Sequence, residues 1–256
     1  MDKSDKAFTW KGESDIIKHL LSLSYTMMLL YTAWLFVTGK ITFSFILQDP
    51  SIWQAFYYTC VITSITIVLN ISLGLLTGWH LASKVSLWKD VFVLLPLILP
   101  VIAVMGGLQL ALLWLHIPDQ LIGVLYIHLM VTIPFSIQIF KNRFLELEKG
   151  IPSLVKLFNG SKQTMWIFVY FPLLGGSLYT VVLLTTVISL SQYAITAFIG
   201  GGLIPTITTL LFPYLQSSNF YIVHTSVFLI ITMIGLFALS IRFIISIFKK
   251  VVTSLL

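Results

Sequence analysis

Charged residues along this chain gather in short clusters, and between the clusters run long apolar stretches that carry almost none. Each stretch reaches the roughly 20 residues that a helix needs to cross a hydrocarbon core about 30 Å thick. Six runs stand out: His19 to Gly39, Phe56 to Ser83, Val91 to Leu115, Ile122 to Phe140, Thr164 to Ile199 and Tyr221 to Phe248. None alternates apolar with polar residues as a barrel strand must, and backbone groups left unpaired in lipid cost several kcal/mol. The pattern therefore predicts an all-α polytopic membrane protein of six transmembrane helices. The fifth run is longer than one crossing requires and contains Pro172, Gly175 and Gly176, so it is expected to kink or to extend past the membrane. No small-residue cleavage site follows the first run, which is read as an uncleaved helix.

Composition agrees and narrows the function. Of 256 residues, 58% are hydrophobic and 9% charged, and the mean hydropathy is +1.00, outside the range of soluble domains. The net charge of +6 points to membrane orientation rather than to nucleic acid, because the basic residues flank the runs instead of forming one patch. Of the 15 Lys and Arg residues, all but Lys40 fall on one side. By the positive-inside rule both termini, the segment around Lys84 to Asp90 and the segment around Lys141 to Lys162 are cytoplasmic. Trp53, Phe56, Tyr57 and Tyr58 then sit where an outer aromatic belt is expected. No Asp or Glu lies inside a run, which counts against an ion-coupled carrier. The single cysteine, Cys60, can form neither an intramolecular disulfide nor a cysteine metal cluster.

Two sets of residues carry candidate chemistry. The first is the loop between runs four and five. Pro152 suits a first helical turn, while Ile151, Leu154, Val155 and Phe158 recur at helical spacing. Asn159-Gly160 is a stop signal, and Ser161 can cap the next helix. An apolar stripe on such a surface helix is buried either in a groove of a partner or on the headgroups and neighbouring spans. The second set comprises polar residues within the runs: Asn70, Gln109, His128, Gln138, Ser189, Ser191, Gln192, Tyr193 and His224. Each must find a partner helix or face water. Ser189 and Gln192, a turn apart, are the leading pair for a translocation path, followed by Asn70 and Gln109. His128 reads as a hydrogen-bonded histidine, since no second histidine or acid is spaced to share a ligand. No phosphate-loop motif of the form Gly-x-x-x-x-Gly-Lys-Ser/Thr occurs, so ATP hydrolysis by this chain is not expected. Gly200-Gly201-Gly202 before Pro205 reads as an outer turn.

These residues resemble the permease subunits of binding-protein-dependent ABC importers. That family carries a cytoplasmic Glu-Ala-Ala, three residues, Gly motif, closed by Ile-x-Leu-Pro at the next span. Here Gly160 is the motif glycine and Phe171-Pro172 the closing pair. Leu154, Val155 and Lys156 stand where Glu-Ala-Ala belongs when counting from Gly160; counting from Pro172 gives Ser153, Leu154 and Val155. Neither register preserves the acid. The segment Tyr58 to Ala82, the Pro-containing Leu94 to Pro100, and Ser189 to Gly202 followed by Ile204-Pro-Thr and Leu211-Phe-Pro are similar to permeases of the molybdate, sulfate, thiamine, polyamine and ferric-ion groups. The resemblance covers about residues 56 to 245.

The resemblance implies a type I importer bundle, with residues 1–55 holding the N-terminal segment, first helix and outer loop. Residues 56–248 would form a permease core of five helices with a coupling loop at about 141–163, and residues 249–256 a cytoplasmic tail. It implies that Ile151, Pro152, Leu154, Val155, Leu157, Phe158, Asn159, Gly160 and Ser161 form the helix that docks on a cytoplasmic ATPase. The chain would hold no cofactor, with ATP and Mg on the ATPase. The further partners implied are a second permease chain, identical or different, and an extracytoplasmic solute-binding protein, all at a bacterial-type plasma membrane. A stand-alone carrier or an assembly scaffold is the competing class.

Overall fold

The structure, a computed structural model, describes residues 26–27, 30–31, 33–35, 37–39, 48–98, 101–115, 120–149, 165–216 and 218–254. Every regular element among them is a helix. We number α1 Pro50–Ser83, α2 Leu87–Ile98, α3 Val101–Trp114, α4 Gln120–Glu148, α5 Gly175–Ser191, α6 Tyr193–Ile199, α7 Ile207–Leu215 and α8 Phe220–Ser254. Ahead of α5 lie a π-helical segment, Met165–Tyr170, and a short turn, Phe171–Leu173. Three stretches, Pro50–Ser83, Leu121–Glu148 and Phe220–Ile247, are long and apolar enough to cross a membrane, and the bent pair α5–α6 makes a fourth.

Helix α1 begins where local chemistry dictates. Asp49 caps it: the carboxylate accepts from the Ser51 N–H at 2.9 Å and from the Ser51 hydroxyl at 2.6 Å, and Pro50 fills the first helical position. Both bonds favour the charged form, so the Asp49 carboxyl lies below its ordinary value. The helix then runs 34 residues, about 50 Å, which exceeds the hydrocarbon thickness and lets its ends protrude.

Helices α1 and α4 form the centre of the bundle. At Gly78 an added Cβ would lie 2.9 Å from both the Lys141 backbone nitrogen and the Phe140 Cβ, and at Gly74 it would lie 3.0 Å from the Phe140 ring. The spacing Gly74-x-x-x-Gly78 thus lets two backbones touch, the usual way for membrane helices to gain contact without a hydrophobic drive. Around this contact Phe140, Phe144, Leu147, Tyr170, Leu174 and Leu178 form one buried cluster. A second, at the other end, joins Ile62, Val124, Ile127, Ile195 and Ile199.

Two runs depart from the one-helix expectation. Val91 to Leu115 is divided between α2 and α3, with residues 99 and 100 between them outside the described residues. Pro96 lies within α2, and neither helix alone is long enough to span. A proline lacks the amide donor, yet α2 continues past Pro96 to Ile98. Thr164 to Ile199 is irregular at Pro172, as expected, but its sharp bend of 62° falls at Gln192. There the backbone leaves the helical region, with φ −80° and ψ 42°. By contrast α4 continues through Pro134. The first run lies largely outside the described residues; those described within 26–37 are helical.

Candidate functional site

A seam of small and hydroxyl-bearing residues runs along α1: Thr59, Thr63, Thr66, Asn70, Gly74 and Gly78, all buried. Steps of three and four residues place them on one helix face. Thr59 and Thr66 donate to carbonyls four residues back, at 2.7 Å each, which satisfies the hydroxyls within lipid. Thr59 also accepts from the backbone N–H of Ile207 at 2.8 Å, so α1 supplies a partner for one of the orphan amides that open α7. Thr206 completes that start through a capping box with Thr209, and the chain reaches it through Gly201 and Gly202, whose φ values of 55° and 77° suit glycine.

Helices α4, α5 and α6 face the seam with matching groups. His128 on α4 bridges two elements: Nδ1 lies 2.7 Å from the Ser189 hydroxyl and Nε2 lies 2.9 Å from the Thr196 hydroxyl. A neutral imidazole donates from one nitrogen and accepts at the other, and either hydroxyl can take either role. Thr63 joins from α1 at 3.5 Å from Ser189. One turn deeper, the Asn70 amide donates to Thr132 at 2.7 Å and to Thr185 at 3.1 Å, and Thr132 passes its own proton to the His128 carbonyl at 2.7 Å. The Asn70 carbonyl oxygen is buried and has no hydrogen-bond partner among the described residues.

The four candidate path residues therefore divide. Asn70 and Ser189 are buried in hydrogen bonds between helices. Gln109, on α3, and Gln192, at the bend, are partly exposed. The bend separates the leading pair: Ser189 is buried on α5, and Gln192 sits partly exposed where the chain turns by 62° into α6. His128 takes the hydrogen-bonded role expected of it. The residues that reading the sequence missed are the threonines, above all Thr63, Thr132, Thr185 and Thr196. Thr63 alone had a signal, its helical spacing with Asn70, Gly74 and Gly78 on α1; Thr132, Thr185 and Thr196 lie on other helices and had none.

At the basic end of the bundle, Lys141 on α4 meets Asp90 on α2, with Nζ 2.5 and 2.6 Å from the two carboxylate oxygens. The lysine side chain is 7% exposed and the aspartate 24%, so each charge depends on the other. The residues assigned to the coupling helix, Ile151, Pro152, Leu154, Val155, Leu157, Phe158, Asn159, Gly160 and Ser161, lie outside the described residues, but the segments on either side are described. Those segments are clasped by edge-on aromatic contacts, with ring centroids 5.9 Å apart for Phe144–Trp166, 5.9 Å for Phe144–Tyr170 and 5.5 Å for Trp79–Trp166. Arg143 adds two hydrogen bonds to the Leu173 carbonyl, at 3.2 and 3.1 Å. Among the described residues no group of His, Cys, Asp and Glu could hold a metal ion.

No protein-family model matches the sequence. The chain is similar to the inner membrane ABC transporter permease protein YnjC of Escherichia coli (strain K12), at 21% identity over 155 residues, 58% of this chain. The match covers 30% of that protein, so this chain spans well under two thirds of its relative. Apolar membrane-length helices and this similarity together make the chain a multi-pass membrane protein that resembles an ABC transporter permease.

Proposed function

We propose that this chain is the permease subunit of an ATP-driven importer, forming with a second permease chain the membrane path of a small polar or ionic solute. The similarity to an ABC transporter permease protein carries the reading. In it the chain spans the membrane six times with both termini cytoplasmic, in a bacterial-type plasma membrane. It is not itself an enzyme: ATP and Mg are bound by a separate ATPase, and an extracytoplasmic binding protein delivers the solute.

Ile151 to Ser161 dock on the ATPase in this reading. Closure of the ATPase reaches the bundle through the clasp at Phe144, Trp166 and Tyr170 and through Arg143, which join α4 to the segment before α5. Gln109 and Gln192 line the path first, and Asn70 and Ser189 join it when the seam between α1, α4 and α5 opens. The uncharged, hydroxyl-rich seam offers hydrogen bonds rather than fixed charge to the solute.

Affinity purification of the tagged chain in mild detergent, with mass spectrometry of what remains bound, tests the proposal. An ATPase subunit is expected to co-purify and to be lost from Phe158→Asp. Recovery of the chain without an ATPase, or solute uptake that survives ATPase deletion, would overturn it.

A further inference from the structure

Where α1 turns into α2, the two helices and α4 leave a groove of about 540 Å³, within the size range of small-molecule sites. Leu76, Phe92 and Val93 line its apolar body over the buried Ile137, and the exposed Trp88 and Lys89 line its polar end, the mouth. Thr77, one of the few polar groups in the body, donates its hydroxyl to the Leu73 carbonyl of its own helix. The body thus offers little to a hydrogen-bonding ligand. The mouth is basic: His80 and Lys89 line the groove, and Lys84 ends α1 within the adjoining turn. The nearest acid, Asp90, is engaged by Lys141. Lys89 forms no ion pair among the described residues, and Trp88 beside it is 84% exposed, an amphipathic ring of the kind that suits a headgroup boundary.

We propose that this groove binds an anionic phospholipid, one acyl chain lying along Phe92 and Ile137 and the phosphate meeting Lys89. An apolar body with a cationic, Trp-bearing mouth complements that amphiphile. A second copy of the chain fits less well, since a two-fold contact centred here would bring like-charged lysines together. The proposal rests on α1 and α4 crossing the membrane and is independent of ATPase coupling.

Native mass spectrometry of the full chain, with phosphatidylglycerol or phosphatidylcholine added, reads the outcome. Phosphatidylglycerol is expected to be retained in preference. Lys89→Gln should lower its retention about fivefold, the factor expected for one lysine at an anionic surface. Val93→Trp, which fills the groove, should abolish the preference. Circular dichroism reports whether each variant folds; should Val93→Trp fail to fold, the exposed Lys89→Gln site decides alone. Equal retention of the two lipids, wild-type retention by Lys89→Gln, or a dimer that Val93→Trp dissociates would overturn the proposal.

Discussion

Helices α1 and α8 are nearly equal in length and both apolar, yet one is the axis of the molecule and the other its flank. On α1 twelve residues are buried, among them three threonines and one asparagine, and two glycines that admit α4, Gly74 against the Phe140 and Ser136 side chains and Gly78 against the backbone. On α8, Leu236, Leu239, Phe243, Ile244 and Ile247 are exposed, and Gly235 has open space around it. In a membrane, apolarity says only that a helix belongs there. Small and hydroxyl-bearing residues at helical spacing say which face meets protein, because close packing and hydrogen bonds must replace the hydrophobic effect that lipid removes.

The strongest way to break this contrast is a matched pair of glycine substitutions. Gly78→Leu should destabilise the bundle by about 3 kcal/mol or prevent folding, since even a Cβ meets the Lys141 backbone. Gly235→Ala should be neutral or stabilise by up to about 1 kcal/mol; thermal unfolding in detergent reads both. Next, Asp90→Ala strands the Lys141 ammonium and should cost about 2 kcal/mol, less than a fully buried pair because Asp90 retains some water. Replacing both partners, as Asp90→Leu with Lys141→Met, should recover most of that loss in a double-mutant cycle. Smaller again, His128→Leu removes two interhelical hydrogen bonds and should cost about 1 kcal/mol, with α6 loosening first in hydrogen exchange.

The smallest effect belongs to the cap of α1. The Asp49 carboxyl is held low by its bonds to Ser51, so its contribution is complete above the ordinary value of 3.8 and disappears as pH falls through the lower folded value. Acid should therefore fray the first turn of α1, a change that Asp49→Asn should not show when followed by amide exchange.

Reading the pattern of the chain places α1, α4 and α8 within a few residues to a turn or two of their observed ends, because long uninterrupted apolar runs admit only a helix in lipid. It misses the division of α2 from α3, since a proline inside a membrane helix either kinks it, ends it or, as at Pro134, is absorbed. It also misses the bend at Gln192, where no proline or glycine stands and beyond which Thr196 of α6 is bonded to His128 of α4. Asn70 and Ser189 were identifiable as polar groups needing partners. Their threonine partners were not, because a threonine can satisfy itself on its own backbone, as Thr66 does, and carries no obligation that a sequence displays.

The clasp of Phe144, Trp166 and Tyr170, with Arg143 on Leu173, also has a mechanical meaning. It joins the last turns of α4 to the segment entering α5 at the very points where residues 150–164 leave and return. The two ends of that loop are therefore held together, and the entropy of bringing them together is already spent in folding. On the proposed reading, a push on the loop by an ATPase would reach α4 and the segment entering α5 together, and α2 through the pair of Lys141 and Asp90.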